Sequence, residues 1–178
     1  MSTGTDESTS PAGTLGTTGT LEGPEAFVGT EVLVELAQAV WASFVDDEVP
    51  LMDLGPWAPE PDGTPVVVGR VTIQGSAAGV LSVHLPAPAA AEAAARMFDI
   101  DPAVVVPEDI HDATGEIANM VGGNVKAMLP GEHRLGLPSV TTGADGPALD
   151  EALASATLLW GEHVLLVTLD RAAGGSPS

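Results

Sequence analysis

The sequence predicts an α+β domain, an antiparallel sheet with long helices packed on one of its faces. Three observations support this prediction. Helix and strand patterns are segregated along the chain, in the order helix, hairpin, helices and three strands. Apolar and polar residues alternate in the strands, as they do when one face of an antiparallel sheet is buried. The last two strands are separated only by Gly161-Glu162, which is typical of a two-residue hairpin turn.

The first half of the chain predicts one helix and one hairpin. Thr30 can cap the helix, which ends at the acidic residues 46–48. The apolar stripe of this helix consists of Leu33, Leu36, Ala37, Val40 and Phe44. A loop rich in proline and glycine follows over residues 50–65. The apolar residues that alternate with polar ones in the hairpin are Val71, Ile73, Leu81, Val83 and Leu85.

The second half of the chain predicts helices followed by three strands. The alanine-rich residues 88–98 indicate a short helix, because alanine has the highest helix propensity. Two successive helix starts follow at Asp101-Pro102 and at Pro107-Glu108-Asp109, each with a proline at the first helical position. The second start opens a long helix over residues 107–129, which Pro130-Gly131 ends. The strands that complete the sheet are residues 137–142, 157–160 and 163–169.

Composition divides the 178 residues into a tail, a domain and a second tail. Residues 1–25 are rich in Ser, Thr and Gly with a few acids, too polar for burial to offset their ordering entropy, and we predict a disordered acidic tail. Residues 26–171 form a single domain, which at this length needs no metal or disulfide to fold. Residues 172–178 repeat the tail composition and predict a flexible C-terminal tail.

The charge of the chain excludes several functions. It has 25 acidic residues against 5 basic ones, a net charge of −20, and Lys126 is its one lysine. Nucleic acids and anionic membranes are bound through Lys and Arg, so neither is an expected partner. Cysteine is absent, which excludes disulfides and thiolate metal sites. With no basic N-terminal segment and no long apolar run, the sequence predicts a cytoplasmic protein.

The long helix 107–129 contains the candidate site. The face expected to pack on the sheet consists of Ile110, Ala113, Ile117, Met120, Val121 and Met128. Away from it, Asp112, Glu116, Asn119 and Gly123 share one exposed stripe, at spacings of four, three and four residues. An ordinary solvated helix face would explain the acids. Asn119 and the pair Gly122-Gly123 are unfavourable in a helix, however, which indicates that a partner docks there and that the glycines leave room for it.

These residues resemble a known family. The pattern Asp112-x3-Glu116-x2-Asn119, continued by Met120-Val121-Gly122-Gly123-Asn124 and later by Leu137-Pro138-Ser139-Val140, is similar to the signature of the CheX/CheC/FliY chemotaxis phosphatases, and closest to CheX. The gap between Asn119 and Pro138 is shorter than is usual in the family. The resemblance extends over residues 26–169. It implies hydrolysis of the aspartyl-phosphate of a CheY-like response regulator in two-component signalling.

The resemblance also implies roles for individual residues. Asn119 would hold the hydrolytic water, and Glu116 would pair with the lysine beside the regulator's phosphoryl group. Asp112, Gly123 and Pro138 would contact the partner, although Asp112 is explained almost as well as a solvated acid. The chain would need no cofactor of its own, because Mg²⁺ would be supplied by the response regulator.

Three alternatives concern other residues or another activity. The protein could be a non-catalytic adaptor or scaffold that binds a response regulator in signalling or in a flagellar-switch-like assembly; the Glu116 and Asn119 pair favours the enzyme. The first helix repeats the acid, acid, amide spacing at Glu31, Glu35 and Gln38, as a second site or as an ordinary helix surface. The histidines lack the spacing of a helical zinc site.

Self-association is a further expectation from the sequence. The last hairpin is apolar on both faces, with Leu159, Val164 and Leu166 on one of them. A single layer of helices covers only one face of a sheet. Together with the resemblance, which implies strand pairing between subunits, this predicts a homodimer formed through the sheet.

Overall fold

The computed structural model describes Pro24 and residues 27–57, 62–143 and 152–172. Almost all of the predicted tail 1–25 and of the predicted tail 172–178 lies outside these residues. Pro24 is buried, it lies 3.3 Å from the position of a Cβ on Gly79, and its carbonyl accepts hydrogen bonds from the backbone N–H groups of Phe27 and Val28. The structured part therefore includes at least this residue of the predicted tail.

The described residues form an α+β fold with a seven-stranded antiparallel sheet and three α-helices. The helices are α1 (Thr30–Phe44), α2 (Ala87–Phe98) and α3 (Pro107–Met128). The strands are β1 (Met52–Asp53), β2 (Val66–Gly75), β3 (Gly79–Pro86), β4 (His133–Leu135), β5 (Ser139–Gly143), β6 (Ala154–Trp160) and β7 (His163–Arg171). The sheet has the order β1, β6, β7, β3, β2, and both β4 and β5 pair with β2 at the far edge.

Most elements confirm the sequence predictions. All three helices, the β2–β3 hairpin and the β6–β7 hairpin with its turn at Gly161-Glu162 are present. The helix start predicted at Asp101 gives only a 3₁₀ turn, Pro102–Val104, in which the Asp101 carboxylate accepts a hydrogen bond from the N–H of Ala103. The sequence missed β1 and β4, because strands of two and three residues are too short to show alternation. The strand predicted at 137–142 begins only at Ser139.

The core lies between the helices and one face of the sheet. The face of α1 that packs there differs from the predicted stripe, because Phe44 is 57% exposed whereas Val34 and Trp41 are buried. Trp41 is held by Trp160 of β6, whose ring it meets edge to face at 4.9 Å between centroids. This aromatic pair sets the rotation of α1 and leaves Phe44 outside.

At the other end of the core, the predicted face of α3 is also corrected in its last turn. Ala113, Ile117 and Val121 are buried as predicted. Met128 is 50% exposed, and Leu129, where the backbone leaves the helical conformation, occupies the buried position in its place.

The helix α3 lies very close to β2 because glycines remove side chains at two contact points. A Cβ on Gly69 of β2 would lie 2.6 Å from the carbonyl oxygen of Thr114 and 3.1 Å from the Cβ of Ala118. One turn further along α3, a Cβ on Gly122 would overlap the Cγ1 of Val71. Only glycine permits such approach of helix and sheet backbones. These contacts fix α3, and every residue on its outer face, relative to the sheet.

The face of the sheet away from this core is also buried at its centre. The residues concerned are Val68, Ser82, His84, Leu166 and Thr168, all at 6% exposure or less. Sequence alternation alone predicts a more open surface there. The apolar area left on this face is therefore smaller than the sequence indicated, and Leu166 does not contribute to it.

A polar network joins α1, α2 and β6. The buried carboxylate of Asp46, just after α1, accepts a 2.9 Å hydrogen bond from Nε1 of Trp160 and forms a 2.9 Å ion pair with Arg96. Burial alone would raise the pKa of Asp46, but the hydrogen bonds from Trp160, Val49 and Glu48 and the charge of Arg96 outweigh it, and the pKa is lowered. Asp46 is therefore charged and fully partnered.

Candidate functional site

The start of α3 is fixed by local interactions. Pro107 occupies the first turn, where its missing N–H costs no hydrogen bond. The carboxylate of Asp109 accepts a 2.9 Å hydrogen bond from the backbone N–H of Val106. Asp109 and Glu108 also place negative charge at the positive end of the helix dipole. The register of the helix, and with it the position of the site residues, is thus set from its first residue.

The acid/amide stripe, formed by Asp112, Glu116, Asn119 and Gly123, lies on the face of α3 away from the core. Asp112 and Glu116 are exposed, as predicted. Asn119 and Gly123 are half-buried rather than exposed. Neighbours at these spacings have Cβ atoms about 5 to 6 Å apart. The structure therefore brings the four predicted residues into one continuous row.

The polar groups of this row are available for binding. Within the described residues, the Asn119 amide forms no hydrogen bond, and the carboxylates of Asp112 and Glu116 form no ion pair. A half-buried amide with unused donors and acceptors costs free energy unless water or a ligand satisfies it. In the described residues, the two carboxylates and the amide of this row therefore have no partner, and they are available to another molecule.

A second wall of the site is the flanking segment, residues 135–138, which connects β4 to β5. Leu135 approaches α3 at Gly123, where the position of a Cβ would lie 3.9 Å from its Cδ1. Pro138 approaches α3 two turns earlier, at Gly115, at 3.8 Å from the position of a Cβ. The segment therefore runs antiparallel to the helix between these points, and it passes Asn119 on the way. A 2.8 Å hydrogen bond from the N–H of Gly136 to the carbonyl of Thr72 anchors it to β2.

This geometry explains how Pro138 comes to lie beside the stripe. Pro138 is exposed and packs on Gly115, and the flanking segment brings it there although the stretch of chain between Asn119 and Pro138 is short. The sequence reasoning missed Gly115 and Leu135. Gly115 is buried under Pro138 and Val140, so the signal was a glycine directly before Glu116 in the middle of a helix. Leu135 gave no signal, because a three-residue strand shows no period.

The adjacent glycines Gly122 and Gly123 of α3 do not share the single role that we predicted for them. Gly122 faces Val71 of the sheet and is buried, so it leaves room for β2 and not for a partner. Gly123 is half-buried on the outer side, with Leu135 as its nearest neighbour. Only Gly123 can leave space for a docking protein.

The second acid, acid, amide pattern has a different environment. Glu31 and Glu35 are exposed on α1, but the Gln38 amide already donates a 2.9 Å hydrogen bond to the carbonyl of Leu51. Gln38 thus holds the loop after α1, whereas Asn119 has no such task. The contrast favours an ordinary helix surface for α1.

Other candidate groups do not form a site in the part of the chain that the structure describes. These residues contain no group of three His, Asp or Glu side chains that could hold a metal ion. His84 is buried on the sheet, and desolvation together with the nearby charge of Arg70 lowers its pKa to about 4. Among the described helices, none is long and apolar enough to cross a membrane.

Comparison with known sequences decides the family. The sequence model described as "Chemotaxis phosphatase CheX" matches residues 67–158, just over half of the chain. The chain belongs to the CheX family. The match contains the whole of α3 with its acid/amide stripe, together with the flanking segment and the strands that hold them. No curated protein matches the chain in sequence.

Solved structures of this CheX fold are similar to the chain over most of its length. The CheX of Vibrio vulnificus has 18% identity and a TM-score of 0.61, over 78% of this chain and 92% of that one. The CheX of Borrelia burgdorferi, solved in a complex with CheY, BeF3 and Mg²⁺, has 14% identity and a TM-score of 0.62, over 82% and 99%. FliY of Thermotoga maritima has 13% identity and a TM-score of 0.50, over 79% and 84%. At these identities the likeness establishes the fold, and the predicted α+β architecture is confirmed.

Proposed function

We propose that this protein hydrolyses the aspartyl-phosphate of a CheY-like response regulator by docking the acid/amide stripe of α3 against the regulator's phosphoryl site. The observation that carries the proposal is the half-buried, unpartnered amide of Asn119, one turn from the exposed carboxylate of Glu116. The family's description as a chemotaxis phosphatase and the complex of a relative with CheY support it. A pure adaptor would have no use for the amide.

Asn119 is the catalytic residue in this proposal. Its side-chain oxygen accepts a hydrogen bond from a water molecule and its NH2 donates one to the water oxygen, which holds the water in line with the phosphorus. The water oxygen bonds to phosphorus as the bond from phosphorus to the aspartyl oxygen breaks. The electron pair of that bond leaves with the aspartate carboxylate, and the water protons pass to phosphate and solvent. In a loose transition state, little proton transfer is needed early, so positioning suffices.

Glu116 supplies the anchoring charge. It is exposed and has no ion-pair partner in the described chain, so its carboxylate can pair with the lysine beside the regulator's phosphoryl group. The acidic chain attracts a basic partner surface, because the net charge is −20. Asp112 lies at the rim of the stripe. Gly123 leaves space for the partner on the stripe, and Pro138 borders that space from the flanking segment.

The chemistry needs no metal from this chain. We infer that the Mg²⁺ that neutralises the phosphoryl charge belongs to the response regulator, as the composition of the Borrelia complex suggests for that relative. The described residues offer carboxylates singly along the stripe and not as a set of three ligands. This chain positions the water through Asn119 and supplies the docking charge through Glu116.

The test follows the decay of radiolabelled aspartyl-phosphate on CheY-like response regulators from the same genome, with and without the protein. We expect faster decay of at least one regulator and release of inorganic phosphate. Binding without any acceleration for any regulator would contradict the phosphatase and leave an adaptor.

We further propose that two copies associate through the sheet. Met52, Leu159 and Val164 are paired in register across β1, β6 and β7, so they form an apolar row on the face away from the helices. Met52 is exposed and the other two are half-buried. Light scattering at micromolar concentration should give a dimer, and Leu159→Glu should shift it to a monomer. A wild-type monomer at that concentration would contradict this association.

A further inference from the structure

The flanking segment presents one apolar side chain to solvent beside the acid/amide stripe. Leu137 is 93% exposed, the highest value among the large exposed apolar residues of the described chain. Single exposed apolar residues are common on protein surfaces and need no explanation by themselves. The position of Leu137 is what distinguishes it. The contacts at Gly123 and Gly115 bracket Asn119 along α3, and Leu137 lies in the segment between them.

The backbone around Leu137 is held in place. Gly136 on one side is hydrogen-bonded to the carbonyl of Thr72, and Pro138 on the other side packs on Gly115. A residue before proline is also restricted to extended conformations. The leucine side chain is therefore displayed on a fixed scaffold and loses little backbone entropy when it is covered. Leu137 contributes almost nothing to the core, because nearly all of its surface is exposed.

We propose that Leu137 is an apolar docking residue for the response regulator, inserting into an apolar depression next to the basic surface that Glu116 contacts. The inference rests on the proposed function. The flanking segment packs along α3 between Gly123 and Gly115. A regulator that brings its phosphoryl group to Asn119 therefore approaches the surface that α3 shares with this segment, where it can cover Leu137. The stripe supplies charge and the flanking segment supplies an apolar side chain, which together match the apolar core and polar rim of a protein interface.

The experiment measures both hydrolysis and binding for Leu137→Ser, with Leu137→Met as the conservative variant. The binding probe is a CheY-like regulator loaded with beryllofluoride and Mg²⁺. For Leu137→Ser, we expect the dissociation constant and the half-saturating concentration to rise by about tenfold, as for loss of a buried leucine contact. Turnover at saturation should be unchanged, and Leu137→Met should bind like the wild type.

Two controls separate this effect from others. Phe44→Ser also replaces an exposed apolar residue, but on α1, which packs over β6 and not at the edge formed by β4 and β5. It should leave both measurements unchanged. The effect of Leu137→Ser should persist at high salt, because an apolar contact is not screened. Unchanged thermal unfolding would show that the variant is folded, as expected for a side chain outside the core.

The outcomes also separate this inference from the proposed function. If the wild type binds the regulator without hydrolysing it, the phosphatase proposal fails, and weaker binding by Leu137→Ser still supports the docking residue. If the wild type hydrolyses and Leu137→Ser has the same half-saturating concentration, only the docking residue is overturned. A wild type that binds no regulator at all overturns both.

Discussion

Gly122 of α3 lies directly over Val71 of β2, so close that a Cβ on the glycine would overlap the valine side chain. Gly123, the next residue, does not face β2, and the position of its Cβ lies 3.9 Å from the nearest atom, Cδ1 of Leu135 in β4. The two adjacent glycines thus have different surroundings: Gly122 allows α3 to pack closely on β2, and Gly123 leaves open space beside the candidate site.

The first prediction compares alanine at these two positions. Gly122→Ala should destabilise the protein by about 1 to 3 kcal/mol, because the methyl group displaces α3 from β2. Gly123→Ala should raise stability by up to about 1 kcal/mol, since alanine is the better helix former, and should weaken regulator binding. Urea unfolding and binding to the beryllofluoride-loaded regulator measure the two effects. Equal stability of both variants would contradict the assignment.

The second prediction concerns Asn119. Asn119→Ala should keep the fold and bind the phosphorylated regulator, but its turnover at saturation should fall by roughly 10²-fold because the water is no longer held in line. Asn119→Gln should recover part of the rate, whereas Asn119→Asp should not, since a carboxylate loses the NH2 donor and repels the phosphoryl oxygens. The decay of radiolabelled aspartyl-phosphate is the measurement.

Asn124→Ala is the matched control for that variant. Asn124 is an exposed amide of the same helix outside the stripe, and its removal should leave the rate unchanged. If Asn119→Ala accelerates decay as well as the wild type does, Asn119 does not position the water.

The third prediction separates docking from chemistry at Glu116. Glu116→Ala should raise the half-saturating concentration by about tenfold or more, because it removes a charge-assisted contact to the partner. Rising salt should weaken regulator binding by the wild type until it approaches that of Glu116→Ala. The loss of turnover in Asn119→Ala should not depend on salt. Glu35→Ala, an exposed acid on α1, is the control and should behave like the wild type. An identical salt dependence of wild type and Glu116→Ala would count against the role.

The fourth prediction uses the buried histidine. Neither ring nitrogen of His84 has a hydrogen-bond partner in the described residues, and its pKa falls from 6.5 to about 4 because of desolvation and the charge of Arg70. The unfolded chain therefore binds a proton that the folded chain does not between these values, so stability should fall as the pH decreases from 6.5 to 4. The lowered pKa of Asp46 also reduces stability on acidification, but its effect begins only as the pH approaches the ordinary value of 3.8 and lies mainly below this window.

His84→Leu should remove this decline and raise stability at pH 7 by about 1 to 3 kcal/mol, because two unpaired nitrogens are no longer buried. Urea unfolding across the pH range measures it, with the exposed His111→Gln as control. A variant with the same decline between pH 6.5 and 4 as the wild type would contradict the assignment.

Much of the fold was predictable because its signals are local. The caps and prolines around α3, the alanines of α2 and the two-residue turn before β7 each depend on adjacent residues. The helical periodicity of α3, which continues over many turns, also predicted the acid/amide stripe. What the period could not show is which of Gly122 and Gly123 meets a neighbour, because that depends on the distance between α3 and β2.

The features that we predicted wrongly or missed also depend on contacts between residues that are far apart in the sequence. From the sequence, either Phe44 or Trp41 could lie on the buried face of α1. In the structure Trp41 is buried, because it packs against Trp160 from the other end of the chain. Pro138 meets Gly115 across a connection that no local pattern describes. The residues of the candidate site, Pro138 among them, could therefore be proposed from the sequence, whereas the contact of Pro138 with Gly115 could not be predicted.

The hydrogen bond between Trp160 and Asp46 spans 114 positions of sequence. During synthesis, α1 emerges long before the strand that carries the tryptophan, so a growing chain cannot bury Asp46 with its partner in place. Before β6 exists, Asp46 can still pair with Arg96, but it lacks the hydrogen bond from Trp160. A buried carboxylate that is only partly satisfied is costly, and α1 should therefore reach its final position only after β6 is available. We therefore expect the native state to form late, when the C-terminal hairpin is added, and we expect chains that stop before residue 160 to be cleared by proteases rather than accumulate as partly folded domains.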